Sequence, residues 1–150
     1  MFDWAVVRIV RRRRARRAAA APPARLRLDD VQVDLLDLLS TVAWAGTRDP
    51  AAAQAALDAA LPALGMPVGW RILPRDRVSS RRLDAALDRL DGAVPPLKAQ
   101  VLEACAAAVL SDGRILPGEA ELVRAVAASL GVPVPRGLAA TDAQVAAGAA

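Results

Sequence analysis

Between Pro95 and Pro133 the chain carries two helical repeats hinged on Ser111-Asp112-Gly113, and this pair dictates what the other residues must pack against. Leu97, Val101, Ala104, Ala108 and Val109 recur three or four apart, so one face of the first repeat can be buried. Pro95 and Pro96 suit its first turn, where a missing N–H would be unpaired anyway. Helical spacing resumes at Leu122, Val123, Val126 and Leu130, behind Pro117, Glu119 and Glu121. Carboxylates in a first turn face unpaired N–H groups and the positive end of the helix dipole. Gly131, with Pro133 two residues on, stops the second helix.

Further helices are expected to cover this hairpin. Aromatic residues make up only 3% of the chain and alanine supplies much of its apolar fraction. Alanine favours helix, and the alternation of β-branched residues typical of strands is scarce. The expected fold is an all-α compact bundle of about five to six helices. Asp29 or Asp30 can cap a helix from Val31 to about Ala45, with Val31, Leu35, Leu38, Leu39 and Val42 inward and Trp44 anchoring the following turn. Asp49-Pro50 starts a second helix that runs to Leu64 and stops at Gly65, unless Pro62 ends it early. Met66 to Pro74 is too proline-rich for a helix and too apolar for a free loop, which predicts an extended crossover pinned by Trp70 and Ile72. Ser79 or Ser80 then opens a helix with Leu83, Leu87 and Leu90 on one stripe, closed by Gly92.

Charge divides the chain more sharply than hydropathy does. Residues 1–27 hold nine arginines against Asp3, a balance of +8, whereas residues 28–150 hold eleven cations against fifteen carboxylates, a balance of −4. The expected organisation is a basic amphipathic arm and linker over 1–27, a helical domain over 28–136 and a frayed tail over 137–150, where Thr141 and Gln144 fit a capping box. In the arm Phe2, Val6, Ile9 and Val10 share one helical face, followed by Arg11, Arg12, Arg13, Arg14, Arg16 and Arg17. The apolar part is far short of the roughly 20 residues that span a bilayer, and its charges follow instead of preceding it, unlike a signal peptide. Docking on the body, or contact of residues 1–17 with an anionic membrane surface, is expected ahead of nucleic-acid binding. A second basic group, Arg71, Arg75, Arg77, Arg81 and Arg82 beside Trp70, suits an acidic partner at least as well as nucleic acid, since no recognised nucleic-acid-binding pattern accompanies it.

Residues suited to catalysis are few. The chain has no histidine and one cysteine, Cys105, placed on an apolar helical side, so neither an internal disulfide nor a histidine-activated nucleophile can form. Ser40-Thr41 and Ser79-Ser80 lack triad partners, and helix-surface or capping roles suffice for them. Asp84, Asp88 and Asp91 lie beside Arg81, Arg82 and Arg89 on a polar face that reads as a salt-laced surface. Asp112-Gly113-Arg114-Ile115 with Glu119 matches the second half of a calcium loop, but its first and third positions fall on Ala108 and Leu110, which offer no side-chain oxygen. Calcium takes six to eight oxygens. Asp112 and Glu119 are therefore weak metal candidates. The better expectation is a structural corner: Asp112 accepts N–H bonds, Gly113 turns the chain, Ile115 plugs the core and Glu119 opens the next helix. No cofactor is expected.

The stretch LKAQVLEACAAAVLSDGRILPGEAELVRAVAASLGVPVP, Leu97 to Pro135, resembles the last helical hairpin of a TerB-like (tellurite-resistance) domain. More closely, it resembles the cytoplasmic C-terminal region of membrane-bound M48 family metallopeptidases. LLSTVAWAGTRDPAAAQAALDAALPALG, Leu38 to Gly65, and LDAALDRLDGAVPPLK, Leu83 to Lys98, are similar to the family's preceding helices, and FDWAVVRIVRRR to the helix after an earlier acidic loop. In the family that earlier loop and its leading helix would lie upstream of the residues matched by Phe2 onward. The peptidase motif HExxH is absent, and protease activity is not implied. What the resemblance implies is a non-catalytic accessory or regulatory module, cytoplasmic or peripheral at the inner membrane, acting on a protein partner such as a membrane protein. The alternatives are anionic-lipid or nucleic-acid binding through the arm, and a metal-binding stress-response module using the Asp112-Gly113 loop.

Overall fold

A computed structural model describes residues 25–138. Over them the chain forms five complete α-helices: α1 (Gln32–Ala45), α2 (Pro50–Ala60), α3 (Ser80–Asp91), α4 (Pro95–Leu110) and α5 (Pro117–Leu130). Short 3-10 turns occupy Leu28–Asp30, Leu61–Leu64 and Arg75–Arg77, and helical geometry begins again at 136–138. No sheet forms among the described residues; the one β-type contact is an isolated parallel bridge between Leu26 and Ala93. The bundle is thus all-α.

α1 sits at the centre and packs against each of the other four helices. A helix buried on several sides cannot be amphipathic, and α1 buries Leu35, Leu38, Leu39, Val42 and Ala43 together with Asp37, Ser40 and Thr41. The buried polar groups all have partners. Thr41 donates its hydroxyl to the Asp37 carbonyl at 2.7 Å, and Ser40 Oγ accepts the Leu73 N–H at 3.3 Å. Ser40-Thr41 is therefore an interior pair, where the sequence suggested a cap or a surface. Neither Asp29 nor Asp30 caps α1. Its N-cap is Val31, and Asp30 instead closes the preceding 3-10 turn by accepting the Arg27 N–H at 2.9 Å.

Asp49 caps α2 by accepting from the Ala51 and Ala52 N–H groups, with Pro50 in the first turn. The α-helix ends at Ala60, and Pro62 turns the continuation into a 3-10 turn through Leu64. Gly65 then adopts φ +67°, a left-handed conformation that glycine takes without a Cβ penalty. The crossover from Met66 to Pro74 has no regular structure, and Trp70 and Ile72 are half-buried against the core. Its backbone is held by side chains. Gln54 accepts the Ile72 N–H at 2.9 Å and donates to the Trp70 carbonyl at 2.8 Å, while Trp44 donates its indole N–H to the Leu73 carbonyl at 2.8 Å. Trp44 thus anchors the crossover across the bundle and not the turn beside it.

Ser79 caps α3 by accepting the Arg82 N–H at 3.2 Å, and Leu83, Leu87 and Leu90 form its buried stripe. α3 runs against α1 with charges paired across the seam: Arg82 meets Asp37 at 2.9 Å and Arg89 meets Asp34 at 3.1 Å. α4 buries more than the predicted face, adding Leu102, Cys105 and Ala106 to Leu97, Val101, Ala104, Ala108 and Val109. Its alanines let α1, α2 and α5 approach on different sides. Arg25 to Arg27, placed with the arm by composition, are tied to the α3–α4 turn, where the Arg25 and Leu26 N–H groups donate to the Gly92 carbonyl at 2.9 Å.

Lys98 and Asp91 form a buried ion pair at 3.0 Å, with side-chain exposures of 9% and 11%. The pair joins the end of α3 to the first turn of α4. Removing one member of such a pair leaves an uncompensated charge in the interior, whereas replacing both with apolar residues of similar volume need not. Lys98→Met is expected to lower unfolding stability by about 3–5 kcal/mol. The double variant Asp91→Leu/Lys98→Met should recover most of that loss, with urea denaturation as the measurement.

Candidate functional site

The corner between α4 and α5 brings together the residues that the motif reading singled out. α4 ends at Leu110, and Gly113 takes φ +75°. Asp112 is exposed, and its Oδ1 accepts the Arg114 N–H at 2.9 Å, closing an Asx-type turn. Ile115 is half-buried against the core, while Leu116 leaves 48% of its surface in solvent.

Glu119 is the unusual group. It is the third residue of α5 and only 5% exposed. Its Oε2 accepts the N–H of Leu116, the N-cap residue, at 2.9 Å, and the Glu119 N–H donates back to the Leu116 carbonyl at 3.0 Å. This is half of a capping box, since leucine has no side-chain oxygen to complete the other half. The other carboxylate oxygen lies over Gly46, in the space where a Cβ on that glycine would project. Gly46 is the C-cap of α1. One side chain therefore ties the start of α5 to the end of the central helix.

That position carries an electrostatic cost. Burial raises the Glu119 carboxyl above its ordinary value, the Leu116 N–H opposes the shift, and the nearby Asp112 charge adds to it. The carboxylate lies between two opposed helix ends, the C-terminus of α1, which disfavours its charge, and the first turn of α5, which favours it. Asp112 and Glu119 thus feel each other, but each already has a backbone N–H partner. No group of three or more His, Cys, Asp or Glu side chains that could hold a metal ion forms among the described residues.

The other candidates lie elsewhere. Cys105 is fully buried, and burial pushes its thiol up to about 12. Asp91 belongs to the Lys98 pair, and Arg82 and Arg89 reach across to α1, so the polar face of α3 works between helices as well as along its own surface. Arg71, Arg75, Arg77 and Arg81 are exposed, and Arg71 lines an open cleft of about 550 Å³ together with Val68, Trp70, Ile72 and Asp58. Gln54 and Gly46 drew no attention in the sequence. A glutamine after three alanines and a glycine directly after an apolar run have no pattern that marks a long-range contact. Arg11, Arg12, Arg13, Arg14, Arg16 and Arg17, the apolar face of the arm, and Thr141 with Gln144 lie outside the described residues. No helix of the described residues is long and apolar enough to cross a membrane.

The fold and corner together define a small all-α bundle with an acidic interhelical clasp. Comparison with protein-family models, with curated proteins and with solved structures finds no match to this chain.

The raised Glu119 carboxyl sets the sign of a pH effect. Above the ordinary glutamate value the unfolded chain releases this proton more readily than the folded chain does. The folded state binds the extra proton in that window, so this group's contribution to stability falls as pH rises from 4.5 through the raised value. Glu119→Gln keeps an acceptor for the Leu116 N–H without the charge. The stability of the parent relative to Glu119→Gln is expected to decline as pH rises across that window, measured by urea denaturation at several pH values. A parent that gains on the variant over the same range would contradict the assignment.

Proposed function

We propose that this chain is a non-catalytic helical module that acts through protein–protein contacts. The observation that carries the reading is the state of the Asp112 and Glu119 carboxylates. Both accept backbone N–H groups at the α4–α5 corner, and Glu119 is buried against Gly46, so the motif with most resemblance to a reactive site serves the hairpin. The inert environment of Cys105 and the lack of histidine support the same reading. A metal-dependent role would have to use two carboxylates already engaged, with Ala108 and Leu110 at the positions where a calcium loop supplies oxygens.

The likeness of the ordered helices to a TerB-like accessory region belongs to this proposal and agrees with its all-α architecture. So does a place at the cytoplasmic face of a membrane. The nine arginines of residues 1–27 give that part of the chain a charge suited to an anionic surface, and a partner there is a membrane protein or a protein recruited to it.

The reading is tested by placing a photo-crosslinking amino acid in the full chain, one position at a time, at exposed Gln32, Ala55, Arg71, Ala85 and Gln100 in its native cells. A discrete protein adduct from one face, retained in the Asp112→Asn background, is expected. Absence of a discrete adduct from every position would contradict the proposal.

A further inference from the structure

Cations are unevenly spread over the body. Residues 71–82 hold five arginines against Asp76, a balance of +4, while the rest of residues 28–150 hold six cations against fourteen carboxylates, a balance of −8. Arg82 is turned inward to Asp37. Arg71, Arg75, Arg77 and Arg81 are exposed, and none forms an ion pair with another described residue. One stands on the crossover, two on the 3-10 turn Arg75–Arg77 and one in the first turn of α3, so four solvated guanidinium groups fall within eleven residues.

The open cleft that Arg71 lines has an apolar wall. Val68 is 62% exposed, and Trp70 and Ile72 are half-buried on the same wall. The wall is also fixed in place: Gln54 holds Trp70 and Ile72 by their backbone and donates to Asp58 Oδ1 at 3.0 Å. An exposed apolar residue on a held wall, with Arg71 in the cleft lining and three more exposed arginines following it in the chain, matches a protein-binding patch, in which arginine and tryptophan are enriched.

We infer that the Arg71–Arg81 strip and the Val68–Trp70 cleft together form a docking surface for an acidic segment of a partner protein that carries an apolar anchor residue. The anchor fills the cleft against Val68 and Ile72, and flanking carboxylates pair with the arginines, which suit them as bidentate partners. Asp58 in the cleft and Asp76 between Arg75 and Arg77 set the order of the ligand. They reject an anion from the cleft and leave the arginine rim for it. The same two carboxylates disfavour a phosphodiester chain. Nucleic acid also has little to stack on, since Trp70 and Trp44, the two tryptophans at the crossover, are both half-buried and their backbone and indole contacts hold the crossover. This inference rests on the reading of the chain as a protein-contact module and names the face and the partner chemistry.

The test uses the full chain and two fluorescein-labelled glutamate-rich peptides that differ only in a single leucine or glutamine, with binding followed by anisotropy. The arginine arm binds both peptides alike, so the surface is read from the leucine margin. The leucine peptide is expected to bind about tenfold more tightly, which corresponds to about 1.4 kcal/mol. Val68→Asp and the pair Arg75→Gln/Arg77→Gln should each erase that margin, while Arg11→Gln/Arg12→Gln should leave it intact. All of these positions lie at the surface or in the arm, and unchanged thermal unfolding verifies that the variants fold. A margin that is absent, or that survives Val68→Asp, overturns the proposal. A thymidine oligonucleotide that loses affinity with Arg75→Gln/Arg77→Gln while the leucine margin is unaffected reassigns the strip to nucleic acid. Self-association abolished by the same pair reassigns the surface to a second copy of the chain. In the crosslinking experiment, adducts from Ala55 or Gln100 but not from Arg71 would leave the module reading standing and remove this surface from it.

Discussion

Glu119 holds a position where an acceptor oxygen is used and its charge is penalised. Its Oε2 closes the first turn of α5 on the Leu116 N–H, and its other oxygen covers Gly46 at the end of α1. The contact holds because Gly46 has no side chain. A Cβ there would meet the carboxylate end of Glu119, which would have to swing aside, while the Gly46 backbone, with φ of −100°, is open to other residues.

Around it the bundle is built by two different means. α1 and α4 are buried on several sides and are held by shape, with leucines filling space and alanines permitting close approach. α3 is amphipathic and is held by charge as well, through Asp34–Arg89 and Asp37–Arg82 across its seam with α1 and Asp91–Lys98 at its end. The first two pairs are partly exposed and contribute little each, because water screens them. They fix which face of α3 meets α1. The Lys98 pair is interior, and its value lies in specifying the α3–α4 turn more than in raw stability.

How much of this was legible in the sequence depends on the range of the interaction. Local signals read correctly: Asp49-Pro50 opens α2, Ser79 caps α3, and Gly65 and Gly131 adopt the left-handed conformation that ends their helices. The leucine stripes of α1 and α3 are buried as their spacing predicts. Long-range polar contacts were not legible. Asp29 and Asp30 look like caps because composition cannot tell a 3-10 turn from the helix that follows it. Trp44 and Ser40 reach Leu73, and Gln54 reaches Trp70 and Ile72, through pairings that exist only once the crossover is laid across the bundle. At the corner, Glu119 was visible as a first-turn carboxylate. Its burial was not, since Leu116 breaks the usual capping-box pattern and Gly46 lies more than seventy residues away in the chain.

The corner therefore decides between a module that only folds and binds and one that holds an ion. The most direct measurement is a calcium titration of the full chain followed by the backbone amide resonances of Arg114 and Leu116, the two donors to the Asp112 and Glu119 carboxylates. A structural corner predicts no saturable shift at either amide, in the parent chain and in Glu119→Gln alike. Saturable shifts at both, lost in Asp112→Asn or Glu119→Gln, would contradict the account.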